Sequence, residues 1–504
     1  MNVRVIPLLG IMLLGTAAAG AAQSRLSSVP QTLSLEDALN LAERNNPIYL
    51  QTANDRGPAA WRVRNAYGAF IPNLTASSNA TYRGAGVQRI LTTEFRQPSA
   101  TIGSSYNLSL SWTLDGNTLL QPGVQKAALS ATDASIDAAR MALRTGVVQQ
   151  YVAVLEARAQ VKLQERQVER NVENLRLSQA RFDVGQVTMI DVRQAEVAKG
   201  QSDVGLLQAR QSVIVETLRL FQQMGVAAPE DPTLVTLSDT FPVVEPTWKL
   251  EELLREADAF NPDVGALRAQ ETSAEWAERS VKSQWLPSVS LFATWSGFTQ
   301  QFTNGDFLLP QQLAGAAANI AACNDTNIIN QDLNTRLGFG RPIVPDCKVA
   351  FGITSDAEAS ILAANRMFPF NFTNNPFQAQ LSIRLPIFDQ FDRNLRISQA
   401  SAAAEDAQEF RRARELLVRT DVSQQYYGLL ANYESIAIQA NNRVLAQDGL
   451  RLATERYRVG VGTFFELLDA QLAAQQAEAD YVRALFDYHR SLVSLEAAVG
   501  HRLR

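Results

Sequence analysis

Arg144-Thr145-Gly146-Val147-Val148-Gln149-Gln150-Tyr151 returns later in the chain as Arg419-Thr420-Asp421-Val422-Ser423-Gln424-Gln425-Tyr426, with six of eight positions identical at a spacing of 275. The same spacing carries Arg181-Phe182-Asp183-Val184-Gly185 onto Arg456-Tyr457-Arg458-Val459-Gly460, Ala195 onto Ala470 and Gly225 onto Gly500. A register held without a gap over about 80 residues marks an internal repeat. Nearer the N-terminus the spacing is 215: Leu35-Glu36 falls on Leu250-Glu251, Asn46-Pro47 on Asn261-Pro262, and Ile71-Pro72 on Leu286-Pro287. The two spacings differ by 60, so one insertion of that size sits in the second copy between Pro287 and Arg419. Residues 298–375 are the candidate. The chain therefore reads as an internal tandem duplication, repeat 1 over 23–245 and repeat 2 over 246–504, with one enlarged loop.

Each copy has the same order of elements. A short helix starts near Ser34 or Trp248, with acidic residues in its first turn. A second helix opens at the Asn-Pro pair, where proline suits the first helical position, and runs to Pro72 or Pro287. Two alternating stretches follow, at about 73–113 and 288–386, with the period of two expected of strands. Then comes a long helical hairpin, about 117–225 and 390–500. No proline occurs from Gly123 to Ala228 or from Ile387 onward. Val422, Tyr426, Leu429, Tyr433, Ile436 and Ala440 step by four and three, as a coiled-coil seam does. From about Asn394 to Arg456 such a helix spans roughly 95 Å. Each rod breaks once, at Val184-Gly185-Gln186-Val187 and at Val459-Gly460-Val461-Gly462, where glycine after a basic run signals a helix end.

Composition narrows the function. A basic start at Arg4, an apolar run from Ile6 to Leu14 and small residues from Ala17 to Ala22 read as an export signal over 1–22. No later stretch is apolar enough for a membrane helix, so the mature chain is either soluble or enters a membrane as a β-barrel. With 46 basic and 51 acidic residues, the net charge of −5 argues against nucleic acid as a partner. Cys323 and Cys347 are the only cysteines; in an exported chain they are a candidate disulfide. His489 and His501 are the only histidines, so neither a metal site nor a distributed catalytic network is offered, and neither an enzyme nor a cofactor is expected.

Four strands cannot close a barrel alone, and open edges need cover. Three chains would supply twelve. In such a barrel Thr75, Ser77, Asn79 and Thr81 face a wet lumen, whereas Leu74, Ala76, Tyr82, Trp112, Phe292 and Trp295 suit lipid or the interfacial girdles.

The segment Arg181-Phe182-Asp183-Val184-Gly185-Gln186-Val187-Thr188-Met189-Ile190-Asp191-Val192 is paired with Arg456-Tyr457-Arg458-Val459-Gly460 and Phe465-Glu466-Leu467-Leu468-Asp469-Ala470. With the strand starts at Pro72 and Pro287 and the closing Gly500, this resembles the TolC-like outer membrane efflux protein family over nearly the whole mature chain. The resemblance implies an α+β membrane protein. It would be a homotrimer whose twelve-stranded outer-membrane β-barrel, four strands from each chain, continues into a periplasmic α-helical coiled-coil barrel. It also implies partners: outer-membrane lipid, a periplasmic adaptor (membrane fusion protein), and an inner-membrane RND, ABC or MFS transporter. The interhelical turns would be the adaptor-docking tips. Glu466 and Asp469, three apart on one helix face, would form acidic rings at the constriction, and Asp191 and Tyr457 would take part in the links that hold it closed. The family's basic partner in the second turn falls on Gly462, which breaks the usual Asp–Arg link. Cargo stays open between small molecules and secreted protein. A periplasmic scaffold or adaptor without a pore is the competing reading, although an adaptor needs only one helical hairpin.

Overall fold

The computed structural model describes residues 32–90, 93–97, 99–239, 241–305 and 307–503; the expected export signal lies outside them. The first half runs β1 (Thr32–Leu33), α1 (Leu35–Asn45), α2 (Pro47–Asn54), α3 (Arg56–Gly68), β2 (Asn73–Arg83), β3 (Gly86–Ile90), β4 (Thr93–Gln97), β5 (Thr101–Leu114), α4 (Gly116–Asp183) and α5 (Met189–Met224). The second runs β6 (Thr236–Leu237), α6 (Leu250–Phe260), α7 (Pro262–Lys282), β7 (Ser288–Phe302), α8 (Leu308–Leu337), α9 (Cys347–Phe351), α10 (Ser355–Ala364), β8 (Thr373–Asn374), β9 (Gln378–Arg384), α11 (Asp392–Arg458) and α12 (Phe464–Val499). Among the described residues no helix is long and apolar enough to cross a membrane.

Two local expectations need correcting, one in the helices and one in the sheet. The helix opening at Asn46-Pro47 is broken at Asp55, because Pro58 has no N–H for the carbonyl of Asn54; Pro58 instead serves the first turn of α3. The hairpin β3–β4 was not anticipated. At the start of the expected insertion, 298–375, β7 continues its pairing with β5 as far as Phe302 opposite Thr101.

Contacts divide the chain into two units: a helical one, comprising the residues up to Val63 with Gly123–Glu278 and Ile397 onward, and a sheet one, comprising Arg64–Pro122 and Arg279–Arg396. In the helical unit, α4 is 68 residues long and α11 67, each about 100 Å at 1.5 Å per residue; the return helices α5 and α12 have 36 each. Two apolar cores hold them. One joins Ala38, Ala42, Tyr49, Leu143, Val147, Val154, Leu220 and Met224; the other joins Leu253, Ala257, Val264, Val418, Val422, Leu429, Leu495 and Val499. Each residue of the second set is the counterpart of one in the first, at a spacing of 215 before the rods and 275 within them.

The polar contacts recur too. Asn46 caps α2 by accepting from the backbone N–H groups of Ile48 and Tyr49, and its amide donates to the Gln223 carbonyl at 2.8 Å. Asn261 accepts from Asp263 and Val264 and donates to the Ala498 carbonyl at 2.8 Å. The closing glycines lie against these asparagines. A Cβ on Gly225 (φ +70°) would come within 2.4 Å of the Asn45 carbonyl oxygen, and one on Gly500 (φ +99°) within 2.5 Å of that of Phe260. Only glycine fits the conformation and the approach together.

In the sheet unit the strands are antiparallel in the order β2–β5–β7–β9, with β8 a short outer piece on β7. The register sorts the side chains into two faces. One carries Leu74, Ala76 and Tyr82, then Leu108, Leu110 and Trp112, Leu291, Ala293 and Trp295, and Ala379, Leu381 and Ile383. The other carries Thr75, Ser77, Asn79, Thr81, Asn107, Ser109, Ser111, Gln378, Gln380 and Arg384. Phe292 lies opposite Ser111 on this polar face, not with Trp112 and Trp295 as expected: its position in the alternation, not its hydrophobicity, decides which way it points. Within the same unit Cys323 and Cys347 are joined by a disulfide, Cα–Cα 5.9 Å. Beside it Asn327, Asn330 and Asn334 of α8 hold the backbone of residues 341–344 with their side-chain amides.

Candidate functional site

The two interhelical turns are built by one backbone device. The Gly185 N–H donates to the Phe182 carbonyl and the Gln186 N–H to Arg181; the Gly460 N–H donates to Tyr457 and the Val461 N–H to Arg456. Gly185 and Gly460 take φ +77° and +84°. These bonds close the last carbonyls of α4 and α11 in the manner of a left-handed C-cap. The chain then restarts on Thr188 and Thr463, the N-caps of α5 and α12. Val184, Val459 and Val461 stand 68%, 66% and 69% exposed, while Val187 packs into the core below the turns.

The expected gate residues divide into inward and outward groups. Tyr457 is buried, its ring 5.8 Å from that of Phe464 and its hydroxyl 3.3 Å from Ser178 Oγ. The Arg181 guanidinium stacks over this ring at 4.4 Å and donates to the Tyr457 carbonyl. Asp191 completes a capping box, its Oδ2 accepting from the Thr188 N–H and hydroxyl at 2.9 Å each. Both residues are thus engaged within their own chain. Glu466 and Asp469 are exposed on the first turns of α12. Glu466 sits 3.7 Å from Arg456, a solvated pair worth little in stability but enough to temper its charge.

Sequence reasoning missed Arg181 and Arg456 as partners, although both open the repeated Arg-Phe and Arg-Tyr motif. Gly462 has a local cause: a Cβ there would meet Arg456 Cβ at 3.0 Å and the Tyr457 nitrogen at 3.1 Å, so the basic residue expected in this turn would crowd the end of α11. Arg458 pairs with Glu455 at 2.9 Å. Near the turns Met189, Ile190, Val197, Leu468 and Leu472 line an open apolar groove of about 480 Å³.

The fold thus comprises long paired rods ending in capped turns and a two-faced antiparallel sheet whose outer strands, β2 and β9, are each paired along one edge only among the described residues. The model of the outer membrane efflux protein family matches residues 38–226 and 350–501. The chain is 21% identical over 484 residues to the outer membrane protein TolC of Escherichia coli K12, covering 95% of this chain and 85% of that one. Its fold is that of the Vibrio cholerae outer membrane protein VceC (TM-score 0.65, 16% identity, 93% of this chain and 97% of that one). It is also that of the open state of the Neisseria gonorrhoeae outer membrane channel MtrE (TM-score 0.65, 17% identity, 93% and 89%). The chain belongs to the outer membrane efflux protein family.

Proposed function

We propose that the chain is one third of a passive export duct, an internal duplication whose three copies close a twelve-stranded barrel in the outer membrane. A ring of paired helices would carry the lumen into the periplasm. The observation that carries this reading is the sheet: one face mostly apolar, the other mostly Ser, Thr, Asn and Gln, with the outer strands β2 and β9 each paired along one edge only among the described residues. Neither an isolated sheet of this kind nor its edges are stable in lipid; closure with further copies satisfies every backbone group. The large exposed apolar residues on one face fit a hydrocarbon surround, and the polar face fits a wet lumen.

On this reading the turns at Val184–Val187 and Val459–Gly462 dock a periplasmic adaptor, which links the duct to an inner-membrane transporter that supplies the energy. Glu466 and Asp469, repeated around the axis, concentrate negative potential at the constriction and favour cations. Asp191 and Tyr457 hold that end in shape from inside their own chain. The duct does no chemistry, and the cargo is set by the pump. The test is mass in detergent, heat-dependent migration on gels and conductance in planar bilayers. A trimer that conducts cations, with selectivity reduced in Glu466→Gln/Asp469→Asn, is expected. A monomeric, water-soluble, non-conducting protein would falsify the duct and favour a pore-free scaffold.

A further inference from the structure

The four long strands of the sheet, β2, β5, β7 and β9, contain no aspartate or glutamate and two arginines, Arg83 and Arg384. Both arginines fall on the polar face. Arg83 continues the series Thr75, Ser77, Asn79 and Thr81 and lies opposite Thr101; Arg384 continues Gln378, Gln380 and Ser382 and lies opposite Ser288. Both are exposed, and among the described residues neither guanidinium makes a hydrogen bond or an ion pair. They stand at opposite ends of the sheet. Arg83 is level with Phe302 at the end of β7, and Arg384 with Ser288 at its start. With 15 residues in β7, the two levels are roughly 45 Å apart at about 3.3 Å per residue. Between them on the same face β7 presents two phenyl rings, Phe292 and Phe298, 47% and 42% exposed.

We infer that this face is a filter for organic anions with an apolar body, bounded by Arg83 at one end and Arg384 at the other. The inference rests on the duct reading, in which the polar face lines the lumen, and adds a preference of the barrel wall to the choice made by the pump. Three copies repeat each arginine around the axis, so a cationic ring stands at either end of the strands with no strand carboxylate between. The low-dielectric wall behind them focuses the positive potential. Twelve strands enclose more than the eight of a side-chain-filled barrel, so the lumen between the rings is wet. At physiological ionic strength the field of an exposed arginine fades within about 8 Å. Inorganic ions crossing the middle of the lumen escape it. A solute large enough to ride on the wall does not: its anionic groups meet an arginine while its apolar body meets Phe292 or Phe298. The sign is opposite to that of Glu466 and Asp469, so the preference of the barrel is separable from that of the constriction.

The experiment titrates the full chain, purified in a nonionic detergent, into pyrenetetrasulfonate, an aromatic tetra-anion that enters neither micelle nor bilayer, and reads binding by fluorescence anisotropy. Saturable binding is expected at about 0.1 M salt and its loss at about 1 M, where the screening length shrinks from about 10 Å to about 3 Å. Arg83→Gln/Arg384→Gln should weaken binding at least about tenfold. Arg83→Lys/Arg384→Lys, which keeps the charge, should retain most of it. Phe292→Ser/Phe298→Ser should weaken it about fivefold, through the lost ring contacts. Arg176→Gln/Arg451→Gln removes as many charges from exposed faces of α4 and α11 and should leave binding unchanged. A loss there comparable to that of Arg83→Gln/Arg384→Gln would trace binding to net charge and overturn the filter. A trimer that binds the probe equally well after Arg83→Gln/Arg384→Gln would also overturn it, while leaving the duct standing. A monomeric chain in detergent would overturn both.

Discussion

The helical unit treats its two repeated sites differently. At the Asn–Gly corners, Asn46 with Gly225 and Asn261 with Gly500, the halves agree bond for bond. At the turns they share a backbone but not a chemistry. Arg181 is buried over Tyr457, whereas its counterpart Arg456 is solvated beside Glu466; Asp191 caps its own helix, whereas its counterpart Glu466 does not. The corners are closed by contacts inside one chain, so any change strands a buried carbonyl or overlaps a backbone. The turns point outward, where different neighbours can select different side chains.

The largest effects should come from breaking a corner. Gly225→Ala and Gly500→Ala each force a Cβ against backbone at positive φ, and each should cost about 3 kcal/mol or more. Unfolding of the helical unit in denaturant, followed by circular dichroism, measures this. Equal losses uphold the equivalence; a harmless substitution on one side breaks it. Next come Asn46→Ala and Asn261→Ala. Each removes a helix cap and leaves a carbonyl without its donor, about 2 kcal/mol in the same assay. A difference larger than about 1 kcal/mol between the two would show that the corners are not interchangeable.

At the turns the effect is functional. Asp191→Ala/Tyr457→Ala removes the capping box and the ring that Arg181 covers. If these hold the closed form by only about 1 kcal/mol, the open fraction rises roughly fivefold. Conductance in planar bilayers should rise accordingly, and unchanged conductance sinks the gate assignment. Because Tyr457 works through burial, Tyr457→Phe alone should leave conductance near that of the parent.

The particular residues show what could be read in advance. The two spacings, the rods and the breaks at Gly185 and Gly460 were legible because helix period and glycine punctuation are local. So was the polar run from Thr75 to Thr81. Phe292 was misplaced because its size outweighed its parity, though Val289, Leu291, Ala293 and Trp295 already marked the odd positions as the apolar set. The stacking of Arg181 on Tyr457 joins residues 276 apart across two hairpins, and no local pattern encodes it. The Gln390–Phe391 turn, with φ +57° and +66°, was hidden for the opposite reason: its residues argue against the conformation they adopt.

The finest test of the comparison lies in a tyrosine both halves keep. The Tyr151 hydroxyl donates to Asp239 at 2.8 Å and lies 3.0 Å from the Leu33 carbonyl, while its counterpart Tyr426 donates to the Trp248 carbonyl at 3.3 Å. Burial, reinforced by the bond to Asp239, pushes the Tyr151 phenol above its ordinary value. A raised pKa means the fold holds the proton more tightly than the unfolded chain does. That share of stability is intact below the ordinary tyrosine pKa near 10 and is withdrawn as pH climbs beyond it. Tyr151→Phe should therefore cost about 1 kcal/mol at neutral pH. The gap between parent and variant should stay level up to pH of about 9 and close from about 10 upward, the remaining tyrosines cancelling in the difference. Parallel profiles across the whole range would show that the Asp239 contact, a polar feature that sets Tyr151 apart from Tyr426, has no energetic weight.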